Sequence, residues 1–142
     1  MNMNHEVNLI SVLVHPARGV LLQKAGSGKW GFPGSEDLIP GEAWETAQLR
    51  GLNRDLNFID FVNVSFLHLE SYPAGMVAPN SKFGVFVLAT TDSSTENCGL
   101  VRWVNSVEDV QELDLIHARV LQLVEKALEM KGTLLSQRRM GI

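Results

Sequence analysis

Residues 30–58 read WGFPGSEDLIPGEAWETAQLRGLNRDLNF, and this stretch decides the fold. Its first part joins glycines and Pro33 to two aromatics, Trp30 and Phe32, and belongs to a loop spanning 25–34 that continues through 35–40. Pro40-Gly41-Glu42 then opens a helix predicted over residues 42–56. Glu42 and Glu45 place negative charge in its first turn, where the helix dipole favours it. Ala43 and Ala47 lie four apart, and Leu49, Leu52 and Leu56 follow at three and four, forming an apolar stripe for a sheet. Trp44 is expected to pack this helix onto that sheet. Asn57, a residue that tolerates positive φ, is the expected left-handed cap at the C-terminal end.

Working outward, residues 7–14 form a β-rich run that stops at His15-Pro16, and 20–24 resume it after a turn. The pair reads as a hairpin. Downstream, 61–72 are dense in β-formers, 83–91 are a continuous apolar run expected to be a buried strand, and 100–104 form another strand after the polar loop 92–99. A second helix is predicted over 114–130, where Ile116, Val120, Leu123, Ala127 and Met130 recur at helical spacing. Residues 133–142, with Arg138 and Arg139, read as a frayed, flexible tail. The order is strand, strand, helix, three strands, helix. It predicts an α/β protein of α+β type, with a mixed sheet between helices on either side.

The bulk numbers agree with a single domain over 1–142. A chain of 142 residues is long enough to bury a core, and 45% hydrophobic with 20% charged residues is too apolar for disorder. The net charge of −4 gives no support to a nucleic-acid partner. Cys98 is alone, which excludes an intrachain disulfide and suits a reducing compartment. The first apolar run lacks a basic flank and is too short to span a bilayer, so no membrane partner and a cytoplasmic location are expected.

Trp30-Gly31-Phe32-Pro33-Gly34, then Pro40-Gly41-Glu42, then seven residues and Arg50, resembles the motif of the Nudix (MutT-like) hydrolases. That motif runs Gly, five residues, Glu, seven residues, then Arg-Glu-U-x-Glu-Glu-x-Gly-U, with U aliphatic. Leu52 and Phe58 also match, and Arg102-Trp103-Val104 resembles a tryptophan strand often found late in that fold. The resemblance implies a Nudix-like α/β/α sandwich across nearly the whole chain.

The motif is degenerate. The Gly34-to-Glu42 segment is one residue longer than usual, and Ser35 replaces the second glycine. The three acids after the arginine have become Gly51, Arg54 and Asp55, and the last glycine is Asn57. In the family, carboxylates on one helix face hold divalent cations against a diphosphate, and the ions polarise the phosphoryl group and activate water. Here Asp55 is the remaining metal candidate, for Mg2+ or Mn2+ if the protein is active. Glu36 and Asp37 are candidate replacement ligands, and Glu70 and Glu96 are candidate catalytic bases.

Each of these residues also has a structural reading. Arg50 with Glu42 reads as a motif ion pair rather than a functional cation. Gly51 reads as a small residue against a neighbouring loop. Arg54 is either a solvated helix residue or a guanidinium that contacts phosphate in place of part of the metal's charge. Trp30 and Phe32 either stack a base or anchor the loop, and Trp103 is core or rim. His68 reads as a packed strand histidine. His5, His15 and His117 lack metal spacing, and Cys98 has no histidine near it in sequence.

The expected ligand-binding set is Trp30, Gly34, Arg50 and Arg54, for a nucleotide or another phosphorylated, diphosphate-containing small molecule bound with little or no hydrolysis. Two alternatives stay open: a divergent hydrolase of nucleoside diphosphates linked to another moiety, and a protein-interaction module without a small ligand. A homodimer is also left open.

Overall fold

A computed structural model describes residues 6–57, 60–73, 82–93 and 99–139, with side chains through residue 131. Strands β1 (Glu6–His15) and β2 (Gly19–Lys24) form the expected hairpin, with Val14 opposite Val20. The turn between them is tied by His15, whose Nδ1 accepts the backbone N–H of Ala17 and Arg18. Strands β5 (Val62–Tyr72), β6 (Lys82–Thr90) and β7 (Val101–Val104) fall where three β-rich runs were expected. β1 and β6 pair parallel while the other strand partners are antiparallel, so the sheet is mixed, ordered β3 (Trp30–Gly31), β2, β1, β6, β5, with β7 beside β2.

Alternation along the strands sends side chains to two cores. Val12, Val14, Val20, Leu22, Phe86 and Leu88 pack with Val120, Leu123, Val124 and Ala127 of helix α3 (Arg119–Arg139). Leu13, Leu21, Ala89, Val101 and Trp103 face the other way and pack with Leu52 of helix α1 (Trp44–Leu56). The sheet is therefore sandwiched between helices. Trp44 reaches the sheet at its outer strand, its ring 5.4 Å from Phe66 of β5.

Several expectations are corrected. The loop around Trp30 contains two short strands, β3 (Trp30–Gly31) on β2 and β4 (Glu36–Asp37) on β1. Helix α1 begins at Trp44, because residues 39–42 form a turn in which Glu42 N–H donates to the Ile39 carbonyl. Its buried face is Ala47, Gln48, Gly51 and Leu52, which leaves Leu49 exposed rather than in the stripe. Asn57 does take positive φ, but at φ 70° and ψ −62° it lies outside the left-handed helical well.

The second long helix starts at Arg119, not at Asp114. Residues 114–116 are held extended: Trp30 N–H donates to the Asp114 carbonyl and Ile116 N–H to the Trp30 carbonyl, so these groups serve a bridge to β3. A short helix α2 (Val107–Gln111) precedes it, unanticipated. At the far end α3 continues through Arg139, into the segment expected to fray, where leucines, Gln137 and the arginines are good helix formers. No helix among the described residues is long and apolar enough to cross a membrane.

Candidate functional site

The middle and last turn of α1, β4 and the loop that joins β4 to α1 converge on a cluster of five charged side chains. Arg50 is at its centre. Its Nη1 and Nη2 bond the two oxygens of Glu42 at 2.9 and 2.8 Å, its Nε bonds Glu36 at 3.1 Å, and Nη2 also reaches the Asp37 carbonyl. One turn along the helix, Arg54 bonds Asp55 through Nε at 2.9 Å, Glu36 through Nη1 at 2.9 Å and the Ser35 carbonyl through Nη2 at 2.8 Å. The fork of Arg50 holds the Glu42 carboxyl down at about 2, aided by the N–H of Ile39, and Glu42 in turn raises the Arg50 guanidinium. Arg54 is raised too, chiefly by its bond to Asp55.

These bonds test whether a divalent cation fits. Asp55 accepts Arg54 on one oxygen and the Gly34 N–H, at 2.9 Å, on the other. Glu36 accepts Asp37 N–H on one oxygen and both guanidiniums on the other. Glu42 accepts Ile39 N–H and Arg50. Every carboxylate oxygen of the cluster already has a donor from the chain. Asp37 is also engaged, with Asn8 and Lys82, and the Asn8 bond leads in holding its carboxyl low. Among the described residues no three His, Cys, Asp or Glu are arranged to hold a metal ion. A dication does not fit these residues as they stand, because every one of those oxygens is already held by an N–H and two fixed cations offset two of the three negative charges.

Gly51 explains why the missing acid has no room. A Cβ there would lie 2.3 Å from the Gly34 carbonyl oxygen. Gly34 itself has φ +73°, and a Cβ on it would lie 2.5 Å from Leu52, so only glycines let the loop and the helix approach this closely.

No family model matches the sequence, and no curated protein matches it. Solved structures do. A NUDIX-family hydrolase from Clostridium perfringens superimposes with a TM-score of 0.65 at 18% identity, over 92% of this chain and 99% of that one. A NUDIX hydrolase from Nitrosomonas europaea gives 0.67 at 15% identity, over 90% and 91%. An Ap4A hydrolase from C. elegans gives 0.61 at 18% identity, over 86% and 93%. The chain has the Nudix fold.

On the other face of the Nudix-fold sheet, the same loop borders a cavity of about 220 Å3 lined by Phe32, Ser35, Tyr72, Phe86, Ile116 and Arg119, among others. Phe32 stands edge-on to Phe86 at 6.1 Å. Trp30, by contrast, is only 7% exposed, and the Arg102 guanidinium sits 5.4 Å from its ring centroid. That placement makes Trp30 an anchor of the loop in the core rather than a free stacking surface. Trp103 is also buried, against His15.

Glu70, a candidate base, lies on β5 and bonds His68 on one oxygen and Arg119, at 3.0 Å, on the other. The His68 bond leads in lowering its carboxyl, and Arg119 adds to it. The structure thus gives Glu70 two partners of its own, distinct from the Arg50–Arg54 cluster. Glu96, Cys98, His5 and Phe58 lie outside the described residues.

The sequence reading missed Gln48, Tyr72 and Arg119. Gln48 is buried and exchanges two 2.8 Å bonds with Asn63. Its helical spacing from Gly51 and Leu52 was the available signal. Arg119 and Tyr72 carried none, because they meet only across the sheet and α3.

Proposed function

We propose that this Nudix-fold protein binds a nucleotide or another diphosphate-containing ligand and does not hydrolyse it by the metal route. The observation that carries this reading is the full satisfaction of the Glu36, Glu42 and Asp55 oxygens by guanidinium and backbone donors. Catalysis in this fold family needs carboxylates free to ligate, and here two guanidiniums and backbone N–H groups already hold those oxygens.

Ser35 links the cluster to the cavity. Its carbonyl accepts Arg54, and the residue also lines the cavity wall. Arg54, whose side chain is 51% exposed, keeps N–H groups able to add a further acceptor, so a phosphate of a ligand seated at this loop is its expected partner. Gly34 and Arg50 act one step back: Gly34 fixes Asp55, and Arg50 fixes the loop.

The test is calorimetry with a panel of nucleoside diphosphates, ADP-ribose and dinucleoside polyphosphates, run in EDTA and again in Mg2+ or Mn2+. ADP-ribose and Ap4A belong in it because proteins that act on them share the fold. Binding that survives EDTA, with no monophosphate or phosphate released, is the expected result. Metal-dependent turnover abolished by Asp55→Asn would establish the divergent hydrolase instead. Absence of binding across the panel would leave the interaction module.

A further inference from the structure

Two of the polar side chains lining the cavity, His117 and Arg119, offer only hydrogen-bond donors, while the hydroxyls of Tyr72 and Ser35 can also accept. His117 accepts the Arg119 N–H on Nδ1 at 2.9 Å, which leaves the ring proton of the neutral imidazole on Nε2, a donor. Arg119 carries five N–H groups; Nη1 gives one to Gln122 and Nη2 one to Glu70. Its Nε is buried without a partner among the described residues. Tyr72 has its hydroxyl pushed up by burial, then by Glu70, so it too keeps its proton. The nearby carboxylate, Glu70, is the natural counter-acceptor, but both of its oxygens are already bonded. Ser35 spends its own hydroxyl proton on Asn8. Beyond these groups the walls are apolar: Ile10, Phe32, Phe86, Ile116 and Val120.

From this accounting we infer that the cavity selects a flat ring bearing oxo groups over the corresponding amino-substituted ring, with Arg119 as the specificity-determining residue. The inference rests on the ligand-binding reading above. An oxo group accepts from the available donors. An exocyclic amino group instead presents N–H donors to Arg119 and His117, neither of which can accept them, a donor-to-donor mismatch of the kind that discriminates between ligands. Apolar walls about 220 Å3 in extent accommodate one ring system and give a bare phosphate little to replace its water.

Two matched pairs isolate the effect: inosine against adenosine diphosphate, and uridine against cytidine diphosphate. Each pair differs at one exocyclic group and the adjacent ring nitrogen. Calorimetry in EDTA is expected to show the oxo member of each pair binding at least about tenfold tighter, which corresponds to about 1.4 kcal/mol per hydrogen-bonded contact difference. Arg119→Gln should bring both ratios toward one, a change that a merely structural role for Arg119 would not produce. Should that variant unfold, His117→Phe removes the Nε2 donor while keeping an aromatic ring at the cavity edge, and the ratios should again fall.

Equal or reversed preference in the wild type would overturn the inference and leave the ligand-binding reading standing. Unchanged ratios in folded variants would remove Arg119 from the selecting role and overturn the inference as stated. Binding of none of the four, nor of any other diphosphate, would sink the ligand-binding reading itself. Tight binding of inorganic pyrophosphate alone, with no ring preference, would reassign the donors to phosphate and overturn the ring inference.

Discussion

Gly51 and Arg54 determine how this motif differs from one built to hold metal, and they do so by different means. Arg54 acts through charge: it occupies the acids that remain. Gly51 acts through space, since its missing Cβ is where the Gly34 carbonyl sits. Gly51→Ala should therefore lower stability by roughly 1–3 kcal/mol from overpacking, against a gain of about 1 kcal/mol in helix propensity. Urea unfolding measures the net change, and a variant as stable as the wild type or more so would show that the loop yields freely. The same contact bears on rebuilding the motif. Pairing Gly51→Glu with Arg54→Glu would free Glu36 and Asp55 but push the first new side chain into the loop backbone. Acids restored in the sequence do not restore the site unless Gly34 also moves.

At the level of elements, the differences arise where one segment's backbone is claimed by another. Residues 114–116 carry a helical pattern, yet Trp30 takes their backbone groups and the helix begins only at Arg119. Helix α2 shows the opposite case. It has five residues, too few to persist alone, and its stability depends on its cap and on burial of Val110. Ser106 Oγ accepts the Asp109 N–H at 3.2 Å, and Glu108 and Asp109 supply charge to the first turn. Ser106→Ala is expected to lower stability by about 1 kcal/mol, with Ser106→Asp close to wild type, both read by chemical denaturation. Ser-x-x-Asp was present as a start signal in the sequence, but the run after it is too short to show a helical period.

For the whole molecule, the Glu42–Arg50 pair makes acid stability depend on the motif. Glu42 titrates near 4.5 when unfolded and at about 2 when folded, so its contribution is complete above about 4.5 and lost as pH falls toward 2. The melting temperature should drop across that window. Glu42→Gln should melt lower at neutral pH and show a shallower acid decline, because the variant lacks the group that titrates. An acid limb identical to the wild type would show that the pair does not hold the loop to α1.

The sequence by itself determined the elements and their order: the β1–β2 hairpin, the later β-rich runs, the place of α1 in the chain and the Glu42–Arg50 spacing all follow from local pattern and turn chemistry. These depend on periods and spacings a few residues long. It also named the residues where the motif departs from its family, Gly51, Arg54 and Asp55. Only the tertiary structure decided what they do, because Glu36 reaches Arg54 across 18 positions and Gly34 reaches Asp55 across 21. The cavity is more distant still, with Glu70 and Arg119 separated by 49 positions and joined through the sheet and α3. Charge compensation and close packing belong to side chains that meet only after the chain has folded, and no local pattern records which partner each will find.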